Sequence, residues 1–204
     1  MPRRPRPSAM QSSRPSVRPG SIRLISGQWK GRKLPVLDAE GLRPTTDRVK
    51  ETLFNWLAAE IRDAHCLDLF AGSGSLGFEA LSRYAAHVTM VEFNRSVAQQ
   101  LIKNLNTLGS RDAEIIHQDA RVFLSQPAIP QDVVFLDPPF NKGFIEDICQ
   151  RLENGGWLKK HAFIYIEREL NGDLFTYPSN WHLIKDKKAG QVSYQLYQRE
   201  GINI

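Results

Sequence analysis

The chain is expected to fold as an α/β protein: a seven-stranded, mostly parallel sheet with an antiparallel C-terminal hairpin, preceded by a small N-terminal β-hairpin. From residue 65 onward, short apolar runs alternate with amphipathic stretches. That is the pattern of strand–helix–strand units, whose right-handed crossovers build a parallel sheet covered on both faces. After residue 160 three strand-like runs follow with little room for a helix, and the Lys187-Lys-Ala-Gly-Gln191 turn makes the last two an antiparallel pair. Before these units, Ile22 to Val36 reads as two short strands around a Gly27–Gly31 turn. A length of 204 residues suits a single such domain over 21–204 and leaves an N-terminal tail of 1–20.

Residues 1–20, rich in Pro, Arg, Ser and Gln, have almost nothing apolar to bury and are expected to be disordered or polyproline-like. The hairpin extension, 21–40, crowds Arg23, Lys30, Arg32 and Lys33 beside Trp29, which reads as exposed. Phosphates can take that charge and bases can stack on the indole, so the patch suits RNA. The loop Leu42-Arg-Pro-Thr-Thr-Asp47 then ends in helix-capping residues, with Thr46 or Asp47 as the N-cap. In the helix that follows, Val49, Leu53, Trp56, Leu57 and Ile61 recur at steps of three and four and form one apolar face. Strands are expected near 66–70, 87–92, 114–117, 132–136, 162–167, 181–186 and 192–198. Helices are expected near 75–84, 95–108, 120–125 and 144–153, the second capped by Asn94 and striped by Val97, Leu101, Leu105 and Leu108.

Composition narrows the function classes. The net charge of +5 is all N-terminal: residues 1–37 hold nine Lys or Arg and no acid, leaving 18 basic against 22 acidic residues in 38–204. A one-ended basic block points to a polyanionic partner, or to a solvated tail that aids solubility. Cys66 and Cys149 are too few and too far apart for a disulfide framework or a CxxC motif, and the five histidines stand isolated, so no metal site is expected. No run approaches a membrane span and no secretory apolar segment is visible, which makes the cytoplasm the expected compartment.

Chemistry concentrates at two places. The first is Cys66-Leu-Asp-Leu-Phe-Ala-Gly-Ser-Gly-Ser-Leu-Gly77, a strand that runs into a glycine loop and then a helix. Gly72, Gly74 and Gly77 satisfy GxGxxG, and Glu92 closes the next strand, where a carboxylate can accept both hydroxyls of an adenosine ribose. NAD and S-adenosylmethionine share this arrangement. Asp68 stands just before the loop, where it would repel a diphosphate but can serve the amino group of a methionine moiety. Asp119, after the third strand, can take an adenine amine, cap the next helix, or do both. Three strand-end acids around one glycine loop favour the cationic sulfonium cofactor.

The second place is Val133-Val-Phe-Leu-Asp-Pro-Pro-Phe140, an apolar strand that ends in Asp137-Pro138-Pro139-Phe140. Two prolines remove two N–H donors, so the loop offers carbonyls and a carboxylate to a donor such as an amine. Phe140 can stack on a planar base or amide.

These residues, in this order and spacing, resemble the Rossmann-like, S-adenosylmethionine-dependent amino-methyltransferases, whose [Asn/Asp]-Pro-Pro-[Tyr/Phe/Trp] loop holds the target nitrogen. Residues 21–200 are moreover similar to the bacterial RsmD family, through Ile25-Ser-Gly-Gln-Trp-Lys-Gly-Arg-Lys-Leu-Pro35, Leu42-Arg-Pro-Thr-Thr-Asp-Arg-Val-Lys-Glu-Thr-Leu-Phe-Asn-Trp56 and Gly190-Gln-Val-Ser-Tyr-Gln-Leu-Tyr197. The resemblance implies a class I methyltransferase fold and methylation of N2 of one guanine in 16S rRNA on the assembled 30S particle. It implies cofactor contacts at Asp68, Phe70, Gly72, Ser73, Gly74, Glu92, Asp119 and Ala120, with Arg43 and Thr45 closing over the methionine carboxylate. It further implies acceptor chemistry at Asp137, Pro138, Pro139 and Phe140. Arg43 reads equally well as a surface residue beside a helix cap. Adenine N6, cytosine N4 and protein glutamine stay open as acceptors, because the loop motif alone does not separate them. An NAD-dependent oxidoreductase would need a catalytic His, Tyr-Lys or metal set, and a noncatalytic RNA-binding module would leave the Asp137 loop without a purpose. No oligomerisation helix stands out, and a monomer is expected.

Overall fold

The structure is a computed structural model that describes residues 20–37, 46–138, 144–170 and 175–201. The N-terminal strands β1 (Gly20–Arg23) and β2 (Lys33–Val36) pair antiparallel, with Ile22 opposite Leu34. Strand β1 therefore takes in Gly20, the last residue assigned above to the tail, while residues 1–19 lie outside the described residues. Helix α1 (Asp47–Trp56) is N-capped by Thr46, whose hydroxyl oxygen accepts from the Val49 amide. It stops at Trp56, so Ile61 buries itself from the turn beyond the helix rather than from its face.

The strand–helix units follow: β3 (His65–Asp68), α2 (Ser75–Ser82), β4 (His87–Glu92), α3 (Arg95–Leu108), β5 (Ala113–His117), α4 (Ala120–Leu124), β6 (Gln131–Leu136) and α5 (Phe144–Asn154). Three strands close the chain: β7 (Leu158–Glu169), β8 (Trp181–Ala189) and β9 (Val192–Arg199). The sheet order is β5-β4-β3-β6-β7-β9-β8, parallel from β5 to β7 and antiparallel at β7/β9 and β9/β8. The fold is thus the expected Rossmann-like α/β architecture. β7 starts four residues earlier than expected because Leu158 pairs with Gln131 before a register irregularity leads into the main ladder.

Alternate residues of the central strands feed two separate cores, as expected of a sheet buried on both faces. Cys66, Val88, Met90, Val133, Phe135 and Tyr165 join Leu53 and Phe54 of α1, Phe78 and Leu81 of α2 and Leu101 of α3 on one face. Leu67, Val91, Val134, Leu136, Ile164 and Ile166 join Phe123 of α4 and Ile148 and Leu152 of α5 on the other. This alternation puts Asp68, at the carboxyl end of β3, and Tyr165, toward that end of β7, on the first face, and that is where the candidate site lies.

The hairpin is built into this domain. Gln28 N donates to Ser82 O at 2.8 Å, Trp29 N to Ser82 Oγ at 3.2 Å, and Ile25 N to Glu79 Oε2 at 2.9 Å. Glu79 is fully buried and also holds Arg83 at 2.7 Å, so the end of α2 is a polar dock for the hairpin turn.

Candidate active site

The turn from β3 into α2 is shaped by close packing. Gly74 caps α2 at φ +77°, where a Cβ would lie 2.5 Å from the Phe78 ring and 2.7 Å from Leu101 Cδ2. A Cβ on Gly77 would meet Met90 Sδ at 2.6 Å and Asp68 Oδ2 at 3.2 Å. These two glycines therefore serve helix–strand packing rather than ligand approach, a division of labour known for this loop type. Gly72 takes a left-handed φ of +50°, and its amide donates to Glu92 Oε2 at 2.9 Å.

The strand-end acids each have a defined place. Asp68 is buried and accepts from the Gly77 amide at 2.9 Å through Oδ2. Burial pushes its carboxyl up to about 7; the amides of Gly77 and Phe70 pull against this and the Glu92 charge adds to it. Glu92 Oε1 accepts from Asn94 N at 2.6 Å, so its two oxygens brace the loops on either side while each keeps a second lone pair. Asp119 caps α4, its Oδ1 accepting from the amides of Arg121 and Val122, so the capping role is real. Ala120 is buried in the second core. Ser73 is buried, and the half-buried Phe70 sets its ring 5.4 Å from that of Phe144.

Asp137 follows β6 directly, with Pro138 buried behind it. Part of Asp137 stays open to solvent, yet protein atoms crowd its carboxyl. Burial, then the charges of Glu167 and Asp68, hold it well above the usual carboxylate range. Pro139 and Phe140 lie outside the described residues, as do Arg43 and Thr45.

The basic hairpin holds Arg23, Lys30, Arg32 and Lys33 exposed on its surface. Arg23 is ion-paired with Asp47 at 2.9 Å. Trp29 corrects the expectation of an exposed indole: it is half-buried and packs against the first core, because its backbone is tied to Ser82. A cavity of about 390 Å³ opens between hairpin and α1, lined by Arg23, Lys33, Asp47, Lys50 and Ser75 among others.

Two features of this region were missed in the sequence. Lys50 is buried, its Nζ donating to Arg23 O at 2.6 Å, and burial pulls its pKa down against the raising charges of Glu79 and Asp47. It shares the Leu53–Leu57 face at helical spacing, a signal that could have found it. Glu167 was also missed, although it ends the apolar run 162–166 as Asp137 ends 133–136.

The family model described as Conserved hypothetical protein 95 matches residues 22–198. Ribosomal RNA small subunit methyltransferase D of Escherichia coli K12 is 59% identical over 181 residues, which is 89% of this chain and 91% of that protein. The chain belongs to the RsmD family. The Haemophilus influenzae RsmD protein is 56% identical over 183 residues, covering 88% of this chain and 94% of its own. The solved structure of the Escherichia coli protein yhhF superposes with a TM-score of 0.84 at 56% identity, over 89% of this chain and 99% of that one. RsmD membership thus accounts for hairpin, glycine loop and Asp137 loop within a single methyltransferase fold.

Proposed function

We propose that the chain transfers the methyl group of S-adenosylmethionine to the exocyclic N2 of a guanine in 16S rRNA, acting in the cytoplasm as a monomer on the small (30S) ribosomal subunit. One observation carries the chemistry: Asp137, backed by Pro138, stands at the carboxyl end of β6 beside the acid-bearing end of β3, where parallel α/β sheets bind ligands. The small-subunit rRNA substrate comes from the names of the relatives.

The residues present fit the cofactor. Asp68 titrates near neutrality and can hold the methionine ammonium, Glu92 keeps lone pairs for the ribose hydroxyls, and Asp119 can take the adenine amine. Ser75 Oγ, buried at the first turn of α2, has no hydrogen-bond partner among the described residues and leaves a donor free for this end of the cleft. When bound, S-adenosylmethionine supplies an electrophilic methyl on sulfur.

The protein's task is to make a poor nucleophile attack. The N2 lone pair of guanine is delocalised into the ring. Asp137, in its ionised form, and the Pro138 carbonyl accept its N–H bonds, which localises the lone pair and aims it for in-line displacement, and Asp137, whose burial raises its affinity for a proton, takes the proton that the amine gives up. Phe140 stacks on the extruded base, while Arg23, Lys30, Arg32 and Lys33 hold RNA phosphates. Arg43 and Thr45 close over the methionine carboxylate, and residues 21–204 work as one domain with 21–40 as its RNA-contact element. Asp137→Ala is expected to lower kcat by at least roughly 10³-fold while cofactor Kd stays within a few fold. Equal loss of turnover and cofactor binding would make Asp137 a structural residue.

A further inference from the structure

The row of carboxyl groups at the sheet edge does not end with Asp137. One step beyond the last registered pair of β6 and β7, Leu136 with Ile166, the parallel strands bring Asp137 and Glu167 side by side. By strand alternation Glu167 shares the face of Tyr165, two residues earlier, whose hydroxyl donates to Glu167 Oε2 at 2.9 Å. Tyr165 is fully buried and packs its ring 6.5 Å from Phe135, itself in contact with Phe54 of α1. Across β7, Tyr194 of β9 stands opposite Glu167 and stacks 5.7 Å from Trp56. Glu167 is therefore a half-buried carboxyl clamped on one oxygen by a rigid aromatic wall. Among the described residues its one hydrogen-bond partner is Tyr165.

A second fixed acceptor beside the first suits one kind of ligand. The Watson–Crick edge of guanine presents two adjacent donor groups, the exocyclic amine and the ring N1–H. Adenine and cytosine place an acceptor nitrogen next to their amines, which a carboxylate repels. We propose that Glu167, held by Tyr165, is the specificity residue that accepts the ring N1–H of the target guanine while Asp137 accepts its amine. Burial holds both carboxyls above their usual range, and the charge of Glu167 adds to this at Asp137; two adjacent N–H donors bonded to the pair favour the ionised forms of both and offset that cost. A base with two adjacent N–H groups supplies them; a base with one does not.

This inference rests on the guanine-N2 reading above, and its test separates the two. Wild type, Glu167→Gln and Tyr165→Phe are assayed on hypomethylated small subunits, and on subunits reconstituted with 2-aminopurine at the mapped target position. That analogue keeps the amine but exchanges N1–H for a lone pair. Glu167→Gln is expected to lose roughly ten- to a hundredfold in kcat/KM on guanine, with cofactor Kd unchanged and Tm no lower than that of wild type. Its preference for guanine over 2-aminopurine should narrow by a similar factor, because the glutamine amide can donate to the analogue's N1. Tyr165→Phe, which keeps the ring but frees Oε2, is expected to lose less on guanine. Wild-type turnover on 2-aminopurine within twofold of guanine, or a Glu167→Gln variant with unchanged preference, overturns the assignment of Glu167 and leaves the guanine-N2 reading standing. Absence of methyl label at guanine with wild type overturns both.

Discussion

Asp68 shows what one buried carboxyl does for this protein. Its folded-state pKa of about 7 lies above that of an exposed aspartate. The folded protein therefore binds more protons than the unfolded chain, and stability is lost as pH rises from near 4 through 7. Asp68→Asn keeps an acceptor for the Gly77 amide and removes that cost. The variant is expected to be more stable than wild type by roughly 2–4 kcal/mol at pH 8, the gain shrinking toward pH 4. Its cofactor affinity should be weak and flat with pH, whereas wild-type affinity rises through neutrality as the carboxylate forms. Thermal unfolding and titration calorimetry at several pH values check this, and equal stability of the two proteins at pH 8 would show that Asp68 is ionised at no cost. Asp68, Glu92 and Asp137 were legible in the sequence because each interrupts an apolar run. Glu167 was not, because its strand also continues in charged residues, and its importance appears only when β7 is seen to lie beside β6. Trp29 misled because the contact that ties it down, its amide to Ser82 Oγ, comes from α2, more than fifty residues away in the chain.

At the level of elements, the boundaries of β4 and α3 follow directly from the sequence, since Asn94 caps the helix and Gly109 ends it in the left-handed region. The ends of α1 and β7 were set by tertiary contacts that periodicity does not encode. The docking of the hairpin was likewise invisible, although its turn glycines were plain. Gly27 sits at φ +79°, where a Cβ would fall 1.7 Å from Ser82 O, whereas Gly31 at φ +85° faces open space. Gly31→Ala is thus expected to cost only the backbone strain, about 1–2 kcal/mol. Gly27→Ala adds a backbone clash and should cost roughly 2–4 kcal/mol, with faster hydrogen exchange at the Gln28 amide as the hairpin lifts from α2. Denaturant unfolding of the pair checks this, and equal destabilisation would mean that the docking contributes little.

Across the whole molecule, the charge and the chemistry are divided between two parts of one fold. Arg23 and Lys33 of the hairpin line a cavity with Ser75 at the start of α2, whereas Lys30 and Arg32 sit on the turn docked at the far end of that helix, and the acids Asp68, Glu92, Asp137 and Glu167 lie toward the carboxyl ends of their strands. Anionic RNA would be repelled by that acidic edge and is expected to enter over the hairpin, presenting one extruded base to the acids. No helix among the described residues is long and apolar enough to cross a membrane. The topology was legible in outline, as strand–helix alternation followed by consecutive strands. The insertion of β9 between β7 and β8, which puts Tyr194 opposite Glu167, was not, since pairing order among consecutive strands is decided by packing. The reaction itself is tested most directly by transfer of a labelled methyl group from S-adenosylmethionine to hypomethylated small ribosomal subunits, with free rRNA, DNA and ribosomal protein as parallel acceptors, followed by nucleoside digestion. Label recovered from the subunits as N2-methylguanosine is the expected result; label in another base or in protein, or no transfer to any acceptor, would contradict it.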